Sequence, residues 1–268
     1  MPFDVQFALN VMYPAAVAAY AIIDNPNPSM PDGYNLVGPI RADPSRAQAD
    51  VAAANDQQQS MVHEMLADSY NFGIVAWNAA AGTALVAFRG TQTLADWLDD
   101  FDAVALPYKA VPGAGFVHLG FQLVYEHVRG SLPALILNGC PGCKRVLVTG
   151  HSLGGALAVL SALDLATNIP PRIVPELYTF AGPRTGAPDF AAAFNAHIST
   201  CYRVVNVIEL TPLDIVPNVP LPPLYEHVGS SVTVHGGFTL DEKAAHALTS
   251  YAIGLRRLQP VAATATPG

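Results

Sequence analysis

Cysteine is scarce in this chain, three in 268 residues, so no disulfide framework can stand in for a hydrophobic core. Cys140 and Cys143 bracket Pro141 and Gly142, which reads as a tight turn before a strand, disulfide-closed or not. A thioredoxin-type redox pair would instead open a helix, and a zinc site would need more ligands nearby. Charge is scarce too: only 13% of residues are charged, with 13 Lys+Arg against 21 Asp+Glu and a net charge of −8. No basic run occurs, so nothing in the sequence favours nucleic acid or an anionic membrane surface as a partner. Long apolar runs are missing as well. The longest near the start, Val11–Ile23, is too short to span a bilayer and contains Pro14. It has neither a basic leading region nor a clear cleavage site, so nothing within this chain reads as an export leader, and its location stays unassigned. Internal repeats and low-complexity tracts are absent.

What is present is core-forming material, with 51% hydrophobic residues. Residues Val11–Ile23 read as an Ala-rich helix, and Asn25–Pro39 as a loop by its Pro, Asn and Gly density. A polar helix is expected over about Ser45–Leu66. Phe72–Trp77 and Thr83–Phe88 read as two strands joined by a polar turn. Phe116–Leu137 reads as helix, broken near Gly130 or Pro133. Then strand and helix patterns alternate: Arg145–Thr149, the helix from Gly154 to Thr167, Glu176–Gly182, the helix Pro188–Ile198, Tyr202–Ile208, Ser230–His235 and a last helix around Asp241–Leu258. This alternation predicts an α/β fold with a mostly parallel central sheet and helices on both faces. The Pro-rich Thr211–Pro223 reads as a structured loop, because strand pattern resumes after it. One domain over residues 1–268 is expected, with the N-terminal helix and loop to about residue 70 packed on it.

The segment Gly150-His151-Ser152-Leu153-Gly154 matches G-x-S-x-G, at the end of one apolar strand and the start of a helix rich in small residues. A nucleophile elbow needs that setting: a strained serine between strand and helix, with small residues two positions to either side. The alternative is a glycine-rich turn whose serine merely caps the helix. On an elbow, the helix N-terminus would bring the Leu153 N–H and a positive dipole beside Ser152, where an oxyanion would form. A serine hydroxyl also needs a base, and the base an orienting acid, in the chain order Ser, Asp or Glu, His. Glu209 and Asp214 are the acids just beyond a strand, and His227, His235 and His246 are the histidines downstream. Spacing does not choose among these pairings.

Several motifs occur together and in order: LVAFRGT (85–91), HLGF (118–121), VTGHSLGGALA (148–158), FAGPRTG (180–186), LDIVP (213–217) and HALTSY (246–251). In that order they resemble class 3 lipases, which include fungal-type triacylglycerol lipases and feruloyl esterases. YPAAVAAYAI (13–22) is similar to the family's opening helix. The resemblance implies an α/β-hydrolase fold with a short helical lid. It also implies that Ser152 is the nucleophile, Asp214 the triad acid and His246 the general base. By the same likeness Thr91 and the Leu153 N–H form the oxyanion hole, and Gln92–Phe101 falls where the family carries its lid. Leu94, Trp97, Leu98 and Phe101 recur there at helical spacing, so the segment reads either as an ordinary surface helix or as a lid over the serine.

The expected chemistry is acyl transfer through an acyl-enzyme, with no metal or organic cofactor. The substrate is expected to be an acylglycerol ester, met at a lipid–water interface, with a short-chain or aromatic esterase, or a phospholipase, as alternatives. A relative that binds lipid or protein without catalysis is the reading from a different class. No nucleic-acid partner and no transmembrane segment are expected. Of the other histidines, His151 is expected to turn away from Ser152 as a packing or hydrogen-bonding residue, and His118 to satisfy backbone groups near the site. His227 is the strongest rival for the base. Val234–Phe238 echoes the HGG of other esterases but follows the serine instead of preceding it.

Overall fold

The computed structural model describes residues 2–43, 70–91, 104–207, 214, 216–220, 223–237 and 241–259. Seven strands form the main sheet: β1 (Asn35–Arg41), β2 (Asn71–Asn78), β3 (Thr83–Phe88), β6 (Arg145–His151), β7 (Glu176–Phe180), β8 (Cys201–Asn206) and β9 (Ser230–Val234), in spatial order β1-β2-β3-β6-β7-β8-β9. β2 is antiparallel to both β1 and β3, and every pairing from β3 to β9 is parallel. Two short strands, β4 (Ala105–Pro107) and β5 (Phe116–His118), pair separately. β3 is buried along its whole length, as expected of a central strand covered on both faces.

Helices cover both faces. On one side pack α2 (Leu119–Val128), α3 (Leu132–Gly139), α4 (Leu153–Thr167) and α5 (Pro188–His197), around a core that includes Phe88, Phe121, Val148, Leu157, Leu160 and Phe190. A 3-10 turn, Arg129–Ser131, makes the break that Gly130 suggested. The other side holds α1, a continuous helix with an α turn at Val5–Phe7, a π segment at Ala8–Met12 and an α stretch at Tyr13–Ala21. Its alanines pack on Ile74, Ala76, Leu85, Ala87 and Leu147, together with Tyr251 and Leu255. Small side chains on α1 let the helix lie close to the sheet, so burial there comes from contact area and not from large residues.

Three expectations need correction. Asn25–Pro39 is not all loop, since Asn35–Arg41 forms β1. As an edge strand it needs only one ladder, which tolerates Pro39. Its register slips at Val37, whose side chain lies where a Cβ on Gly139 would sit only 2.1 Å from it. The helix expected from Phe116 begins only at Leu119, because Phe116–His118 pairs with Ala105–Pro107. The last helix is two helices, α6 (Glu242–His246) and α7 (Leu248–Arg257), separated at Ala247, whose extended backbone (φ −61°, ψ 138°) ends the first. The polar helix expected over Ser45–Leu66 lies outside the described residues, as do Glu209 and the segment Gln92–Phe101 with Leu94, Trp97, Leu98 and Phe101. Among the described residues no helix is long and apolar enough to cross a membrane.

A buried carboxylate clamps α4 to α2. Asp164, fully shielded from solvent, accepts two hydrogen bonds from the Arg129 guanidinium at 3.0 and 2.9 Å, one from the Tyr125 hydroxyl at 2.8 Å and one from the Asn168 amide at 2.9 Å. Every acceptor position is used, which is what lets a charge sit in this core.

Candidate active site

Ser152 stands between the end of β6 and the start of α4 with φ 61° and ψ −130°. A non-glycine residue at positive φ is strained by about 1–3 kcal/mol, and the surroundings must hold it there. Here the Ser152 N–H donates to the Phe180 carbonyl at 3.0 Å, and its own carbonyl accepts from Gly155 N–H at 2.8 Å. The flanking glycines are sterically required. A Cβ on Gly150 would lie 2.0 Å from the Gly154 carbonyl oxygen, and one on Gly154 would lie 2.3 Å from the Phe88 carbonyl oxygen. The turn from β6 into α4 can therefore close this sharply only without those side chains.

The turn that carries Thr91 follows β3. The Arg89 guanidinium lies over the Phe72 ring at 4.4 Å and donates to the carbonyls of Asn71 (2.7 Å) and Gly90 (2.9 Å), fixing the backbone that leads into Thr91. Gly90 runs against the elbow, where a Cβ would come within 2.8 Å of the Ser152 Cβ. Leu153 is the first residue of α4, so its N–H has no partner within the helix.

His246, the last residue of α6, has its Nε2 2.8 Å from Ser152 Oγ. Its Nδ1 lies 2.9 and 3.1 Å from the two carboxylate oxygens of Asp214. Because a carboxylate only accepts, Nδ1 carries the proton and Nε2 is left free to accept from the serine hydroxyl. Asp214 is fully buried. Its carboxylate also accepts from the Tyr251 hydroxyl (2.5 Å) and from the Val216 N–H (3.1 Å). Burial, reinforced by Asp214, pushes the Tyr251 phenol well above its ordinary range, so it remains a donor. Of the six pairings open from spacing, the structure brings Asp214 and His246 together with Ser152.

The rival histidines are engaged elsewhere. His227 donates from Nε2 to the Pro217 carbonyl at 2.6 Å, and burial with Arg203 and Arg184 nearby pushes it down to about 3. His235 Nδ1 donates to the Val207 carbonyl at 2.9 Å. His118 is buried with its ring 4.6 Å from Phe121 and 5.6 Å from Tyr225, and burial pushes it down to about 3. His151 departs from expectation. It does make hydrogen bonds, but its ring lies 4.7 Å from that of His246 instead of turning away from the site.

A cavity of about 450 Å³ opens here, walled by Tyr20, Thr91, His151, Lys243, His246, Ala247 and Leu248. It lies at the C-terminal ends of the parallel strands, where ligand sites form in open α/β sheets. A larger groove of about 540 Å³, with Phe3, Phe7, Arg145 and Glu176 in its wall, lies at the other end of β6 and away from this chemistry. Among the described residues no cluster of three or more His, Cys, Asp or Glu side chains could hold a metal ion. Sequence reasoning gave no role to Tyr251 or Tyr20, although both fall inside motifs it singled out.

Sheet order, the strained serine turn and the Asp–His–Ser hydrogen bonds together define a protein of the α/β-hydrolase class. Residues 85–223, over half of the chain, match the family described as Lipase (class 3), and the chain belongs to that family. A lipase of Rhizomucor miehei is 38% identical over 161 residues, 55% of this chain and 40% of that protein. Phospholipase A1-II 1 of Oryza sativa subsp. indica is 32% identical over 157 residues, 51% of this chain and 39% of that protein. The solved Rhizomucor miehei triacylglyceride lipase superposes with a TM-score of 0.52 at 32% identity, covering 63% of this chain and 62% of that one. The match thus spans about two fifths of the length of these two curated relatives.

Proposed function

We propose that this chain is a serine carboxylic-ester hydrolase, a lipase that cleaves acylglycerol esters by way of an acyl-enzyme. The observation that carries the reading is the unbroken hydrogen-bonded run from Ser152 Oγ through His246 to Asp214. In the proposed cycle His246 Nε2 takes the serine proton as Oγ attacks the ester carbonyl carbon. Asp214 holds the imidazole in the required tautomer and balances its charge once protonated. The carbonyl oxygen becomes an oxyanion that the Leu153 N–H and Thr91 stabilise; such a donor is typically worth about a hundredfold or more in rate. Imidazolium then protonates the leaving alcohol, leaving acyl-Ser152. Water, deprotonated by the same His246, releases the acid and restores the serine. Every proton transfer in this cycle is performed by the chain's own residues. We also propose that residues 1–268 form one domain; the packing of α1 on the sheet supports this.

Phospholipase activity is the second reading, and a specific observation favours it. Lys243, exposed, puts a cation on the wall of the cavity that His246 also lines, able to pair with a lipid phosphate, and the rice relative is named a phospholipase A1.

The deciding experiment treats the purified chain with a long-chain organophosphonate, and separately with p-nitrophenyl esters of graded length, an emulsified triglyceride and phosphatidylcholine vesicles. Labelling of Ser152 with ester turnover is expected. A folded chain that neither labels nor turns over any of these esters would refute the hydrolase reading. Faster turnover of the phospholipid than of the triglyceride would move the assignment to the second reading.

A further inference from the structure

We infer that Tyr20 and His151 form a positioning relay that ties the oxyanion turn to the backbone of the base. The inference rests on the hydrolase reading and adds two residues to it. Neither Tyr20 nor His246 falls within residues 85–223, where the family match lies.

The relay is directional and each proton in it can be assigned. His151 Nε2 lies 2.8 Å from the His246 carbonyl oxygen, which can only accept, so Nε2 carries the proton. His151 Nδ1 therefore accepts, and the Tyr20 hydroxyl, 2.8 Å away, donates to it. The Tyr20 oxygen in turn packs against Gly90, the residue just before Thr91, where an added Cβ would lie 2.5 Å from it. Donors thus run one way, from Tyr20 on α1 through His151 to α6. Hydrogen bonds aligned in this sense polarise and strengthen one another.

The carbonyl that the relay reaches is one that needs holding. α6 stops at His246 because Ala247 turns extended, and the break leaves carbonyls without helical partners. Side chains from elsewhere take them: Ser250 Oγ donates to Ala244 at 2.6 Å, Asn206 Nδ2 to Ala245 at 2.9 Å and His151 Nε2 to His246. The last sets the backbone from which the base projects. The His151 ring also lies 4.7 Å from that of His246, so a charge on it would oppose imidazolium formation during turnover. Burial, with His246 as neighbour, pushes His151 down to about 3 and keeps it neutral. Burial likewise pushes Tyr20 up to about 12, so it remains a donor. A side chain that merely filled space here would need none of these polar assignments.

The test is steady-state kinetics of the full chain on a soluble p-nitrophenyl ester, for wild type, Tyr20→Phe, His151→Phe and the double variant. Tyr20→Phe is expected to lower kcat about tenfold with KM within about twofold, since a misplaced base slows chemistry without weakening binding. His151→Phe is expected to lower kcat further. The double variant should be no worse than His151→Phe alone, because both changes break one chain of bonds. A wild-type kcat in Tyr20→Phe, a raised KM at unchanged kcat, or multiplicative losses in the double variant would overturn the relay while leaving the hydrolase reading intact. An inactive, unlabelled wild type would overturn the hydrolase reading and this inference with it. Nitrogen-15 NMR of the wild-type imidazoles supplies a check independent of variant folding. Neutral His151 protonated at Nε2 is expected down to about pH 5, and protonation at Nδ1 would overturn the relay.

Discussion

Tyr251 places its hydroxyl 2.5 Å from Asp214 Oδ2, on the carboxylate that also holds His246. With the Val216 N–H, three donors converge on a fully buried acid, so its orientation is fixed before substrate arrives. Replacing Tyr251 by Phe removes one donor and leaves the ring. We expect a fall in kcat of about three- to tenfold and a loss of stability of about 1–2 kcal/mol, read from ester kinetics and a urea melt. Asp214→Asn should be far more severe, about 10⁴-fold in kcat, because an amide offers Nδ1 no charge and can favour the wrong tautomer. Comparable losses in the two variants would mean that the acid is not Asp214.

Ser152 should reveal a conflict between stability and activity. Ser152→Gly relieves a positive φ that only glycine adopts without strain, so melting should rise by a few degrees, about 1 kcal/mol, while ester turnover disappears. Ser152→Ala keeps the strain and should melt near the wild type, equally inactive. Thermal melts of the three proteins side by side check this.

Gly150→Ala and Gly154→Ala each place a methyl within 2.0 and 2.3 Å of a carbonyl oxygen. Relaxation there must move backbone, so each should cost more than about 3 kcal/mol or prevent folding. Gly142→Ala is the contrast. Nothing lies within 4 Å of its Cβ, and only its φ of 70° penalises the change. About 1 kcal/mol is expected there, by the same melts.

Acid should destabilise the fold through its buried histidines. His118, His151 and His227 are pushed down from 6.5 to about 3, chiefly by burial. Below pH 6.5 the unfolded chain binds protons that the folded one refuses. Stability is therefore complete above about pH 7 and falls as pH drops through 6.5 towards 3. Each group carries roughly 4–5 kcal/mol of this dependence by the time it is protonated. Melting temperature followed from pH 8 to 4 should be flat and then decline steeply. A melting temperature unchanged to pH 4 would mean that these rings are not held neutral.

The sheet was largely readable because its parallel strands are short apolar runs separated by helical periodicity. The elements that escaped are those whose conformation is set from a distance. β1 carries Gly38 and Pro39, loop signals that an edge position overrides. The break at Ala247 leaves the helical spacing of Asp241–Leu258 intact, and it depends on caps from Asn206 and His151, far away in the chain. Ser152 stood out because an elbow is local and its glycines are its neighbours. Asp214 could not be separated from Glu209, nor His246 from His227, by spacing, since no periodicity records which loop ends meet. Only the ordered motifs distinguished them. Tyr20 lies 131 positions from the histidine it contacts, beyond the reach of any local pattern.

The broken helix around Ala247 has a consequence for anyone recombining these proteins. Residues 241–259 carry His246, the proposed base, yet two of the three side chains that cap their stranded carbonyls belong to other parts of the chain. The segment is consequently not a portable cassette. A chimaera that borrows it from a relative inherits a histidine with the right sequence context, but its aim is dictated by the host's counterparts of Asn206 and His151. Grafts should succeed only when the elbow, β8 and the tail are exchanged together.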